Sequence, residues 1–422
     1  MDQTSLSPVK FPEFPLEPRL LQALVQVGFE YCTPIQAACL PLLLDKKDVA
    51  GQAQTGTGKT AAFLLAIMHQ LLTSGKTTRA GAPRAIVISP TRELAIQIHK
   101  DAQTLIPFTP LTTALVYGGV DYQKQQDRFE QPVDILIGTP GRLIDYYRQK
   151  SYHLNAIEAV VLDEADRMFD LGFIKDIRFL LRRCPKPEER LGMLFSATLS
   201  YRVMELAYEH MNNPQFIKIN PEKVTADKVR QELYHVGKDE KIPLLLGLLK
   251  HTDPTRTIIF VNTKRTAEKV NAYLIGNGYK AAILSGDVPQ TKRQRLFREF
   301  SEGELDLLVA TDLAARGLHI PDVSHVFNFD MPQNAEDYVH RVGRTARAGA
   351  SGIAVSFACE EFVYSLIEIE ELLGQKIPTL QVTGDLLVTP EPPAKIKSDR
   401  KPPRRRSGHE SKRRHHHKST SR

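Results

Sequence analysis

The sequence predicts two α/β domains in tandem, each a parallel sheet covered by helices, joined by a short linker and followed by a disordered basic tail. Three observations predict it. Short β-branched apolar runs alternate with helical segments through the first 380 residues; most runs end in small, polar or charged residues; and the pattern stops where Pro, Arg, Lys and Ser take over. Buried strands are expected at 48–52, 85–89, 134–138, 159–163 and 193–196, then at 257–262, 281–285, 305–311, 325–329 and 353–358. Residues 220–228, NPEKVTADK, lack apolar periodicity and carry a Pro, so they are expected to link a first domain over 1–219 to a second over 229–380. Residues 381–422 are expected to form the tail, too polar to bury a core of their own.

At 422 residues the chain is long enough for two or three cores. No apolar stretch approaches the length of a membrane span, and MDQTSLSPVK lacks the basic start and apolar centre of a signal peptide. Cys32, Cys39, Cys184 and Cys359 form no C-x-x-C pair, which argues against a disulfide framework or a zinc site and fits a reducing cytoplasm. The net charge of +7 is uneven: residues 391–422 hold twelve Lys or Arg against three acids, +9, leaving −2 for residues 1–390. Any nucleic-acid groove in the folded part must therefore be local, while the tail attracts polyanions without reading sequence.

Ala53–Thr60 reads AQTGTGKT between an expected strand and the helical run AAFLLAIMHQLL. In such a loop Ala53, Gln54, Thr55, Gly56, Thr57 and Gly58 offer backbone N–H groups to phosphates. Lys59 reaches the β and γ oxygens of ATP, and the Thr60 hydroxyl holds Mg2+. The usual first Gly of the pattern is Ala53 here. Upstream, the Gln36 amide can read an adenine edge through one donor and one acceptor, and Phe11, seventeen positions before Gly28, can stack on the base. Val160–Asp166, VVLDEAD, is an apolar strand running into three acids, a poor arrangement unless a cation or donors meet them. The chemical reading is Asp163 on Mg2+, directly or through water, with Glu164 polarising the attacking water.

Together with Ser196-Ala197-Thr198 these motifs resemble the DEAD-box RNA helicases, over essentially residues 11–380. The resemblance implies two RecA-like domains, an ATP hydrolase stimulated by RNA, ATP and Mg2+ as cofactors, and single-stranded or short duplex RNA as a sequence-independent partner. It implies RNA contacts at Arg92, Gly118, Thr139 and Arg142 in the first domain and at Arg293 and Thr311 in the second. Ser196 and Thr198 would couple the acidic loop to the closed arrangement. His340 would serve the catalytic water and the contact between domains, and Arg344 and Arg347 would act as arginine fingers, worth roughly 10³–10⁵ in rate. Two positions depart from the family: His319 stands where Asp contacts the ribose, implying weaker or pH-dependent coupling, and Ala346 stands where Gly separates the arginines. The segments GQAQTGTGKT, LDEADRMFDLGFIKDIR, LFSATLSYRV and ARGLHIP read like one bacterial branch of the family. That likeness alone implies a cytoplasmic protein working with RNase E in the RNA degradosome. An ATP-switched RNA clamp with little unwinding would carry the same motifs, as would a translocase acting on DNA apart from the DEAD form of the acids.

Overall fold

The computed structural model describes residues 6–53, 56–219, 229–252, 255–286, 288–315, 323–345 and 352–395. They form two seven-stranded, wholly parallel sheets. The first comprises β1 (Val49–Gln52), β2 (Ala85–Ile88), β3 (Thr113–Val116), β4 (Ile135–Gly138), β5 (Ala159–Asp163), β6 (Leu191–Ser196) and β7 (Gln215–Lys218). The second comprises β8 (Val229–His235), β9 (Thr257–Phe260), β10 (Ala281–Leu284), β11 (Leu307–Ala310), β12 (His325–Asn328), β13 (Gly352–Ala358) and β14 (Thr379–Leu380). The orders are β3-β4-β2-β5-β6-β1-β7 and β10-β11-β9-β12-β13-β8-β14, the same permutation shifted by seven strands. The tandem architecture is thus one topology used twice.

Central strands such as AIVI in β2 and TIIF in β9 are buried along their whole length, because helices cover both faces of a parallel sheet. All ten expected strands are present, with ends moved by one or two residues. Four strands were not anticipated. β3, β7 and β14 are short edge strands with half-exposed side chains, and β8, VRQELYH, breaks its apolar run with Arg230 and Glu232. The expected linker, 220–228, lies outside the described residues.

The expected start of the tail at 381 is too early. Val382, Leu386 and Leu387 pack on the second lobe's core. The chain then crosses the helix Lys264–Gly276, where Ala394 N donates to Ala272 O at 2.9 Å and Asn277 and Glu391 exchange two bonds. Gly247 and Gly276 make room for it: a Cβ on either would stand 1.9 Å from Leu386 O or 2.3 Å from Pro392 O. Apolar residues spaced through a Pro-rich segment hold it by packing, which composition does not reveal. Residues 396–422 lie outside the described residues.

Candidate functional site between the two lobes

The phosphate loop, the acidic loop and Ser196 fall at the carboxyl ends of β1, β5 and β6, where parallel sheets collect ligands. After β1 the chain turns through Gly56 and Gly58, both at φ +89°, into the helix Lys59–Thr73, whose first turn carries Lys59 and Thr60. Gly58 is required twice over. Its left-handed backbone disfavours a side chain, and a Cβ there would stand 2.6 Å from Gln36 Nε2 and 2.9 Å from Thr33 Oγ1. Gln36 sits in the first turn of Pro34–Leu44, 4% exposed; its Oε1 accepts from Thr33 N at 2.8 Å and its Nε2 donates to Gly58 O at 2.9 Å. The amide expected to read adenine therefore clasps the phosphate loop. Phe11 departs from expectation: at 1% exposure it is a core residue beneath the N-terminal segment, with no open face for a base. Gln54 and Thr55 lie outside the described residues.

Lys59 Nζ lies 3.1 Å from Asp163 Oδ1, the pair almost wholly buried, and Glu164 N donates to the same oxygen at 3.0 Å. Burial raises the Asp163 carboxyl above its usual range and nearby Glu164 adds to this, against the pull of Lys59. Burial alone would lower the Lys59 ammonium, but Asp163, Glu164 and Asp166 together outweigh it and keep the lysine charged. Three acids face one lysine here, an excess of negative charge. Asp163 Oδ2 is buried with no protein partner, so the donor set fits a hard divalent cation shared with the Thr60 hydroxyl. Glu164 adopts φ 54°, ψ 54°, a left-handed conformation that swings its carboxylate off the strand line at the turn into Ala165–Asp170. Ser196 Oγ accepts from Asp166 N at 3.2 Å, while Ser196 O accepts from Ala53 N at 2.9 Å, so this residue ties the acidic loop to the phosphate loop. Thr198 follows, half-buried.

On the same rim, Thr91 caps Arg92–Leu105 by accepting from Leu94 N, and Arg92 lies over Gly118-Gly119. A Cβ on Gly119 would stand 2.5 Å from Arg92 Nη1, which explains two glycines at this turn. Thr139 precedes Pro140–Arg148, and Arg142 lies against the paired rings of Tyr122 (4.7 Å) and Tyr146 (5.4 Å), donating to Tyr146 Oη at 3.1 Å. In the second lobe, Thr311 starts the short helix Asp312–Ala315, its carbonyl accepting from Ala314 N and Ala315 N. Arg293, expected to meet RNA, donates across the cleft to Glu93 Oε1 at 3.2 Å and to Ser285 O at 3.2 Å.

The helix Ala335–Val342 carries His340 and leads into Arg344, which is 5% exposed. Arg347 lies outside the described residues, with His319 and Ala346. Residues without an expected role organise this helix. Arg341, 1% exposed, donates to Asp312 Oδ1 and Oδ2 at 2.6 Å each, to Asn262 Oδ1 at 2.9 Å and to Asp330 O at 2.6 Å. Asp330 in turn accepts from Lys241 Nζ at 2.6 Å and Asn262 N at 2.9 Å. Facing lobe one, Asp337 and His340 both meet Arg167, which follows the acids directly. Their i, i+3 spacing, which puts both on one helix face, was the signal available in the sequence.

The chain can now be set beside known proteins. Residues 33–207 match the DEAD/DEAH box helicase family and residues 240–349 the helicase conserved C-terminal domain. The ATP-dependent RNA helicase RhlB of Shewanella frigidimarina is 55% identical over 96% of this chain and 93% of its own. Saccharomyces cerevisiae Dbp5 bound to RNA and ADP BeF3 superposes with a TM-score of 0.76 at 32% identity, covering 88% of this chain and 95% of that one. A DEAD box protein from Methanococcus jannaschii, 34% identical, covers 88% and 99% but reaches only 0.50. With both family domains in order and more than half its residues shared with RhlB over nearly its full length, this chain belongs to the DEAD-box ATP-dependent RNA helicases.

Proposed function

We propose that this helicase couples ATP hydrolysis to RNA binding and to local, non-processive opening of duplexes, and that it serves bacterial RNA turnover in the cytoplasm beside RNase E. The observation that carries the mechanism is the division of the site: Lys59, Asp163 and Glu164 stand on one lobe, while His340 stands on a helix of the other, just before Arg344, that meets the acidic loop through Arg167. Closure is then the step that completes the catalytic set, and ATP and RNA both favour it. Thr60 and Asp163 would hold Mg2+, which would supply positive charge to the transferred phosphoryl group. Lys59 grips the phosphates, Glu164 orients the attacking water, and Arg344 and Arg347 approach the γ-phosphate from across the cleft. Arg92, Gly118, Thr139 and Arg142, with Thr311 opposite, lie along the RNA path. Contacts to phosphate and 2′-hydroxyl groups give a preference for RNA without sequence readout. RNA seated there is bent, a continuous duplex resists bending, and one strand leaves. Because Arg293 is bound to Glu93 in the closed arrangement, it serves the joining of the two RNA-facing motifs as well as the strand itself.

The test is RNA-stimulated ATP hydrolysis and displacement of a short duplex strand by wild type, Lys59→Ala and Glu164→Gln. Wild type should do both and each variant should lose hydrolysis. Hydrolysis without strand displacement would show an ATP-switched clamp, and equal stimulation by DNA would remove the RNA preference. Support for the RNase E partnership is the RhlB likeness; co-purification from a bacterial lysate tests it.

A further inference from the structure

We infer that Arg167 is a positioning residue for hydrolysis: from lobe one it seats the helix bearing His340 and the Arg344 finger against the acidic loop. The inference rests on the two-lobed mechanism proposed above. Arg167 is 5% exposed and lies in Ala165–Asp170, its N–H bonded to Glu164 O at 3.0 Å, so its backbone is fixed to the residue that orients the water. Its fork reaches two residues one turn apart on Ala335–Val342. Nη1 donates to Asp337 Oδ1 at 3.0 Å, and Nη2 donates to His340 Nδ1. Asp170 Oδ2, at 3.6 Å from Nη1 and half exposed, is a secondary neighbour.

The partners are prepared for this fork. Asn334 caps the helix by accepting from Asp337 N at 2.9 Å, and its Nδ2 donates to Asp337 Oδ2 at 3.0 Å. One carboxylate oxygen is thereby fixed within lobe two and the other presented to lobe one. A guanidinium has donors only, so His340 must use Nδ1 as acceptor and carry its proton on Nε2. Arg167 thus sets the tautomer of the imidazole as well as the seat of the helix. Both contacts span the cleft. They exist only when the lobes close, so they favour the hydrolytic state over the open one rather than binding ATP uniformly.

A lysine cannot reproduce a fork that spans two acceptors, which separates geometry from charge. In RNA-stimulated turnover, Arg167→Ala and Asp337→Asn should each lower kcat at least about tenfold, with a smaller change in KM for ATP, as expected for a buried charge pair broken on one side. Arg167→Lys should recover only part of the loss. The double variant should be no worse than about twofold below the poorer single, because both remove one interaction. Interlobe FRET with RNA and a non-hydrolysable ATP analogue should show the closed population reduced in both singles. The inference is overturned if the two losses multiply, if the closed population is unchanged, or if Arg167→Ala keeps wild-type kcat. Asp337→Asn preserves shape and lies in the other lobe, so it decides the matter should Arg167→Ala fold poorly. A wild type without RNA-stimulated turnover would fail the helicase reading itself, a result distinct from these.

Discussion

Replacing Arg341 by Lys keeps the charge and removes the geometry, and it should loosen the second lobe while leaving the first intact. The guanidinium binds Asp312 through two parallel bonds of 2.6 Å, and spans from there to Asn262 Oδ1 and Asp330 O. These acceptors lie at the ends of β9, β11 and β12, so one side chain ties three strands. An ammonium radiates from one point and can hold about half of this set. Two charge-assisted bonds are lost in a site where the side chain is 1% exposed, which costs about 3–5 kcal/mol. Native-state hydrogen exchange resolves the lobes. The slowest amides of β9, β11 and β12 should exchange about two to four powers of ten faster, since each 1.4 kcal/mol is tenfold, while those of β2 and β5 keep their rates. Turnover should fall as well, because Arg341 sits between His340 and Arg344. Unchanged protection in the second sheet would refute the assignment of Arg341 as its organising tie.

Three other outcomes follow from the geometry. Gly58→Ala forces a side chain onto a φ +89° backbone and against Gln36 Nε2, so ATP affinity should fall by roughly 5–30-fold, the equivalent of ~1–2 kcal/mol of strain; a fluorescent nucleotide titration reads it, and adding Gln36→Ala should restore only the steric part. Tyr122→Ala removes one of the two rings holding Arg142, so RNA affinity should drop by a few-fold, as for a cation–π contact of ~1 kcal/mol, with RNA-free ATP binding unchanged; filter binding with a single strand measures it. Burial pushes the Asp101 carboxyl up to about 6 from 3.8, so its favourable share of stability is complete below pH ~4 and lost as pH rises through 6. Asp101→Asn should therefore stabilise the protein at pH 7–8 by about 1–2 kcal/mol and bring no gain at pH 4, measured by denaturant unfolding.

The catalytic half of the site was legible because its chemistry is local. A phosphate loop needs consecutive residues, and the three acids after Leu162 sit at the end of one strand, so strand, turn and role can be read from one window. Apart from His340, what bridges the two lobes was not legible. Arg167 and Asp337 are 170 positions apart and look like ordinary surface charges until two sheets are docked. Arg341 carried no expected role, since its acceptors come from three separate strands. Phe11 shows the reverse error: an aromatic at the family spacing is taken for a base platform, yet the N-terminal segment folds over the core and buries its ring. The packed segment 381–395 was missed because a run rich in Pro and charge hides the few apolar residues that dock it.

The excess acid at the end of β5 explains why hydrolysis is divided between lobes. Lys59 answers part of that charge from within, and burial raises both Asp163 and Asp166, so the loop is short of positive charge. Nucleotide phosphates would only deepen the deficit. Arg167 eases Asp166 from close by, but its fork is turned across the cleft to Asp337 and His340. In the proposed mechanism the missing charge would arrive with the metal and with Arg344 and Arg347 from the second lobe, the arginines on closure. A lobe that carried its own full complement of cations could hydrolyse ATP while open, with no dependence on RNA. Leaving the acidic loop incompletely neutralised, and placing the residue that recruits the opposite helix immediately after it, makes turnover conditional on the conformation that grips the strand.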